Sequence, residues 1–222
     1  MTTRMKQKLK EIFRLFFPSM NDDLERLLKK ELSSSRKVLD LGCGPNSPLH
    51  LIRNNPKPLD VYAVGVDIFS PYIEMNRAHP IHSEYLQADI FDIDFPDNSL
   101  DCAILLDVIE HFDKDNFLKF LPKLQKIAKK IIILVPNGFI QQEMYDDNDH
   151  QEHKSGWTFD EMSELGFDCV GLNGLRILRG EHAVARIKPL FLGELLCGMT
   201  RPFLFNKPKL AFHLFCVKNN HG

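Results

Sequence analysis

Apolar residues along the chain change their period several times, and each change marks an element. Leu24, Leu27, Leu28 and Leu32 recur at three and four residues, the spacing of one helical face, and Asn21 ahead of Asp22 and Asp23 supplies a cap. Ser33 to Ser35 end that helix. The text then alternates short apolar runs with helix-length segments: Lys37 to Leu41, Val61 to Val66, Tyr85 to Ala88, Leu100 to Leu106 and Lys130 to Val135. Strands this short and this nearly all-apolar are buried on both faces, which requires a parallel sheet with helices on each side. After Pro136 the pattern predicts a helix over Asp160 to Leu165, a strand over Phe167 to Leu172 and a final strand over Ala211 to Lys218. The expected class is a doubly wound α/β domain.

Composition narrows the choice of function more than of fold. With 222 residues, 44% apolar and 26% charged, the chain reads as an ordinary globular protein. Its 28 basic and 30 acidic residues leave a formal charge of -2, so no global positive field favours nonspecific nucleic-acid binding. The five cysteines include no CxxC pair, which argues against a zinc or redox motif and for reduced thiols in a cytoplasmic protein. No stretch approaches the roughly 18 apolar residues that span a bilayer. The basic N-terminus lacks a small-residue cleavage site, so a secretory signal is not expected.

In open α/β sheets, ligands bind outside the carboxyl ends of the strands. Four of the five early strand candidates end at or near an aspartate: Asp40, Asp67, Asp89 and Asp107. The first also runs into Gly42-Cys43-Gly44-Pro45, where glycine would serve a positive φ and let a ligand approach backbone. Nicotinamide and flavin enzymes carry G-x-G-x-x-G at this place. Here the third glycine position is Ser47 and Pro45 removes an amide from the place where a pyrophosphate would be held. Both departures disfavour a dinucleotide.

The blocks Val38-Leu39-Asp40-Leu41-Gly42-Cys43-Gly44, Val64-Gly65-Val66-Asp67, Ala88-Asp89-Ile90 and Asp101 through His111, in this order and spacing, resemble the class I S-adenosylmethionine-dependent methyltransferases. The resemblance implies a Rossmann-like sheet, mostly parallel with an antiparallel C-terminal strand, and S-adenosyl-L-methionine as cofactor. It lays Asp40, Gly42, Gly44, Asp67, Ile68, Asp89, Ile90 and Asp107 along that cofactor. Asp40 would order the glycine loop and favour the cationic methionine end. Asp67 would accept the two ribose hydroxyls, Ile68 would cover the adenine, and Asp89 with the Ile90 amide would bind its edge. For Asp89 the competing reading is a helix cap.

The acceptor side is less defined. His111 follows the fourth strand, and His153 lies in the text His153-Lys154-Ser155-Gly156-Trp157 after the fifth. An imidazole near its ordinary pKa can take a hydroxyl proton, so His153 and His111 are the catalytic candidates. The alternative for His153 is a structural histidine holding the Trp157 turn. The spacing of His150 and His153 also suits a metal, but without a third clear ligand a solvated acidic loop is expected and no metal. Residues 1–20 form a basic amphipathic segment, read as a lid over the cofactor or as a peripheral membrane contact. Residues 21–222 would then be the catalytic domain, with 176–210 as an acceptor-side or homodimer insertion. The expected acceptor is the oxygen or nitrogen of a small molecule, such as a sugar, lipid-linked glycan or secondary metabolite, and not a nucleic acid. A nicotinamide-dependent oxidoreductase and a non-catalytic S-adenosylmethionine-binding protein are the alternatives.

Overall fold

Each strand's apolar run is uniform because its alternate residues feed two different cores. Val38, Ala63, Ile104 and Ile132 point to one face of the sheet, where the leucine stripe Leu24, Leu27, Leu28 and Leu32 covers them. Leu39, Val64, Ala103, Ile131 and Ile133 point to the other, against Phe117, Leu121, Leu124 and Trp157. A period of two on a strand buried on both faces leaves polar residues only toward its ends, as with Asp40 on β1 and Asp67 on β2.

The computed structural model describes residues 20–53, 59–144, 148–180 and 183–220. Its elements in order are α1 (Met20–Leu32), β1 (Lys37–Leu41), a helical turn at His50–Arg53, β2 (Tyr62–Asp67), α2 (Ser70–Ala78), β3 (Glu84–Gln87), β4 (Cys102–Leu106), α3 (Lys114–Ile127), β5 (Lys130–Pro136), α4 (Phe159–Glu164), β6 (Asp168–Leu175), α5 (Leu190–Leu204) and β7 (Ala211–Asn219). The seven strands form one sheet in the order β3-β2-β1-β4-β5-β7-β6. The first five pair in parallel, and β7 runs antiparallel between β5 and β6. The fold is the Rossmann-like doubly wound sheet expected, with one reversed strand. Chain order reverses between β1 and β4, which opens a crevice at their carboxyl ends.

Differences from the sequence reading are local. Helix α1 already includes Met20 and Asn21, so Asn21 lies inside the first turn and is not its cap; Asp22 and Asp23 still suit the positive end of the helix dipole. Strand β3 is mostly exposed, because an edge strand has a neighbour on one side only. Strand β6 continues past Leu172 through an irregularity that ends at Leu175, with Asn173 at φ 62. Segment 176–210 is fastened to the body. Helix α5 carries Glu194, which receives both Arg179 terminal nitrogens at 3.2 and 3.1 Å, and Arg201, which pairs with Asp23 of α1.

All five cysteines are free thiols. Among the described residues, no helix is long and apolar enough to cross a membrane. The lid or membrane segment inferred for residues 1–20 lies, apart from Met20, outside the described residues.

Candidate active site

The carboxyl end of β1 passes into a loop held from three sides. Gly42 and Gly44 take φ values of 66° and 57°, a region that L side chains rarely adopt. Their reasons differ. A Cβ on Gly42 would lie 2.8 Å from a methyl of Val108, whereas a Cβ on Gly44 would meet nothing within 4 Å. The expectation that both glycines make room for a ligand holds for Gly44; at Gly42 the space is taken by protein.

Asp40 is buried beneath this loop. Its Oδ2 accepts from the Ser47 hydroxyl at 2.5 Å and from His82 Nε2 at 2.7 Å. Asp67 closes the second strand: one carboxylate oxygen accepts from the Gly44 amide and the other from the Phe69 amide, both at 2.9 Å. Each oxygen retains a lone pair for a hydroxyl group. Burial pushes the Asp67 carboxyl upward, against the pull of those two amides. Asn76 donates to the Gly44 carbonyl at 2.6 Å, which fixes the far side of the loop. Asp89 accepts from the Phe91 amide at 2.9 Å. It therefore does hold a local turn, and it also faces the ligand space.

These residues line one cavity of 370 Å³, within the range of small-molecule sites. Its wall includes Asp40, Gly42, Gly44, Asp67, Ile68, Asp89, Ile90 and Asp107, so the structure brings together all eight residues expected there. Ile68 is 38% exposed, an apolar surface open to a planar ring. Among the described lining residues there are four aspartates and no lysine or arginine. That donor set fits a molecule carrying an ammonium, a sulfonium and a ribose diol, and it opposes a pyrophosphate.

A second cavity of 280 Å³ lies alongside, lined by Asp107, Glu110, His111, Gln142, Gln151, His153, Ala183 and His213 among others. Asp107, His111 and Gln151 border both cavities. Asp107 adopts φ 55, tolerated by aspartate, and its side chain is 47% exposed toward this junction. Enclosure by the surrounding protein raises its carboxyl above the usual range, and burial, with the Asp107 charge beside it, raises that of Glu110 as well. His111 is driven the other way, to about 4, chiefly by burial. His213 on β7 falls to about 3 for the same reason, and its Nε2 lies 3.6 Å from Asp107.

Two loop histidines separate. His150 joins the cofactor cavity, while His153 joins the second one. The pairing of these two imagined from their spacing does not form; instead, donor atoms of Glu110, His111 and His153 lie within 4.8 Å of one another. His153 donates from Nδ1 to the Ile140 carbonyl at 2.7 Å, and His111 Nδ1 meets the Glu152 carbonyl at 3.1 Å. A carbonyl only accepts, so each Nδ1 carries the proton and each Nε2 the lone pair. The Trp157 turn is held by other means, through its indole N–H on the Ile109 carbonyl. The Lys154 and Ser155 amides clamp the Glu110 carbonyl at 2.8 and 2.9 Å, which makes the His-Lys-Ser-Gly-Trp text a brace for the turn Ile109–His111. Sequence reasoning missed His82, Asn76 and His213, for which no local spacing gave a signal.

A doubly wound sheet with a crevice at its switch point is the fold shared with methyltransferases among solved structures. Residues 39–134 match the methyltransferase domain family, and the chain has the fold of S-adenosylmethionine-dependent methyltransferases of known structure. The acid-lined cavity fits S-adenosylmethionine. An uncharacterized protein of Methanocaldococcus jannaschii is 28% identical over 132 residues, 57% of this chain and 53% of that protein, so the chain spans about half the length of this curated relative. Among solved structures, the small RNA methyltransferase HEN1 is 17% identical over 91% of this chain and 25% of its own, with a TM-score of 0.58. The Burkholderia thailandensis 1,6-didemethyltoxoflavin-N1-methyltransferase, solved with S-adenosylhomocysteine, is 13% identical over 97% and 84% of the two chains, with a TM-score of 0.55. Their shared fold sits beside unlike acceptors.

Proposed function

We propose that this enzyme methylates an oxygen or nitrogen of a small molecule held in the second cavity. The observation that supports this reading is the meeting of the two cavities at Asp107 and His111, which would put an acceptor group beside the methionine end of S-adenosylmethionine. Bound S-adenosylmethionine supplies a methyl group activated by its sulfonium. The acceptor atom forms a bond to that carbon as the S–C bond breaks, the sulfur leaves as a neutral thioether, and the acceptor's proton departs to water. Holding the acceptor in line can itself supply roughly 7–11 kcal/mol, so positioning is the first task of the wall.

Asp107, His111 and His153 suit an acceptor that donates an O–H or N–H, since the carboxylate and the two Nε2 lone pairs accept. The lowered His111 pKa keeps that imidazole neutral at physiological pH but makes it a weak base, so we assign its role to orienting the acceptor. The acidic wall and the formal charge of -2 disfavour a polyphosphate chain as acceptor. Isotope-labelled methyl transfer to fractionated cell extract, with mass identification of the product, tests the reading. Label in a small molecule supports it; label confined to RNA or protein overturns it.

A further inference from the structure

We propose that Glu110, His111 and His153 form a divalent metal site in the wall of the second cavity. This rests on the reading of that cavity as the acceptor site, and specifies how it takes a hydroxyl group. One donor atom of each residue already lies within 4.8 Å of the other two. Metal bonds to imidazole and carboxylate are about 2.0–2.2 Å long, so two ligands on one ion sit at most about 4.2 Å apart. Side-chain rotation closing several tenths of an ångström completes the site.

Three features point to a ligand here. First, Glu110 is 2% exposed and its Oε2 has no hydrogen-bond partner. A buried carboxylate oxygen left without a donor is costly, and a cation is the partner that would satisfy it. Second, both histidines are oriented from behind by a backbone carbonyl on Nδ1, the arrangement that directs the Nε2 lone pair toward an ion and fixes the ring. Third, the three residues are braced against each other. The Lys154 and Ser155 amides grip the Glu110 carbonyl, and the two imidazoles pack edge to face at 4.8 Å. The brace thus ties the loop bearing His153 to the turn bearing Glu110 and His111.

The donor set selects the ion. Two imidazoles and one carboxylate favour Mn²⁺, Co²⁺ or Zn²⁺ over Mg²⁺ and Ca²⁺, which prefer oxygen. Three protein ligands leave coordination positions open, and the cavity supplies room for an acceptor oxygen to occupy one. An oxygen bound there loses its proton more readily and stands beside His111, which also borders the cofactor space. In this arrangement His111 and His153 hold the acceptor oxygen through the ion, in place of direct hydrogen bonds to their Nε2 atoms, the proton passes to water, and neither histidine is the base.

The test uses chelator-treated full-length protein titrated with Co²⁺, read by ligand-field absorption, and with Mn²⁺, read by calorimetry. One ion per chain is expected. Glu110→Gln and His153→Ala should each weaken it by about 100-fold or more, since even outer partners of metal ligands contribute 10–100-fold. Both variants should still bind S-adenosylhomocysteine, which shows that they are folded. Absence of stoichiometric binding, or binding that both variants leave unchanged, overturns the proposal. Failure here is separable from failure of the functional reading. Labelling of a small molecule that persists after chelation removes the metal and keeps the acceptor assignment. Stoichiometric Co²⁺ binding with label only in RNA does the reverse.

Discussion

Gly42 and Gly44 share a backbone region but should respond to alanine in opposite ways. Both would suffer the left-handed penalty of an L residue, about 1–2 kcal/mol. At Gly42 the new methyl also meets Val108, 2.8 and 3.0 Å from its two γ-carbons. Val108 is 5% exposed within the core under the sheet's carboxyl edge, so it has little freedom to yield, and overpacking of this kind costs about 1–3 kcal/mol. Gly42→Ala should therefore lose roughly 2–5 kcal/mol in total, a fall in melting temperature of roughly 4–20 °C at this chain length. Gly44→Ala should lose only the backbone part, roughly 2–8 °C, yet place its methyl in the open cavity and weaken S-adenosylhomocysteine binding. Urea unfolding and calorimetry on the two variants read both quantities. The Val108→Ala background supplies a cycle: it should recover about 1–3 kcal/mol of the Gly42→Ala loss and none of the Gly44→Ala loss. Equal melting shifts with an additive cycle would refute the steric argument. A Gly44→Ala variant with unchanged cofactor affinity would refute the placement of the cofactor.

Two further outcomes follow from the same geometry, and a third from the sequence. Asp67→Asn should weaken S-adenosylhomocysteine by about 1.5–3 kcal/mol, roughly 10–150-fold by calorimetry, and should lower stability as well, because its amide group faces one of the two backbone N–H groups that the carboxylate now satisfies. His213, held neutral by burial with its pKa lowered to about 3, binds its proton more readily when unfolded. The native state therefore keeps this contribution above about pH 6.5 and loses it progressively as pH falls toward 3; His213→Gln should flatten the melting-temperature profile across that window. For residues 1–17, deletion should leave the sheet folded but bind cofactor more weakly, and cofactor should slow proteolysis near Phe16. Protection by anionic vesicles alone would assign that segment to a membrane surface.

Much of the cofactor edge was legible in the sequence because its residues sit at strand ends, where a local run and a following aspartate report position directly. Asp40, Asp67, Asp89 and Asp107 needed only the strand pattern to be brought onto one edge. The acceptor wall was not legible in that way. Glu110 and His153 are 43 positions apart, and the link between them is a backbone clamp by Lys154 and Ser155 that carries no side-chain signature. Spacing instead suggested His150 as the companion of His153 on a metal. The segment is a loop with one short turn at Asp149–Gln151, so the two rings diverge into different cavities. His82 was silent for a related reason. It reaches Asp40 from the turn before β3, a contact across 42 residues that depends on how β2 and β3 pair.

Strand β7 carries a consequence for biosynthesis. It is the final strand described, yet it lies between β5 and β6, and β6 has no other partner in the sheet. During translation, β5 and β6 must both wait with open hydrogen-bonding edges until Ala211–Asn219 emerges. Such edges pair readily with other chains, so this interval is when the nascent protein is most exposed to aggregation. A cut in the connection near Lys207 would leave β7, which carries His213, held to the sheet only by its pairing with β5 and β6. The cofactor cavity takes its walls from the carboxyl ends of β1 to β4 and from the loop after β5, and none from β6 or β7, so closure of the C-terminal strands is separable from assembly of the cofactor half.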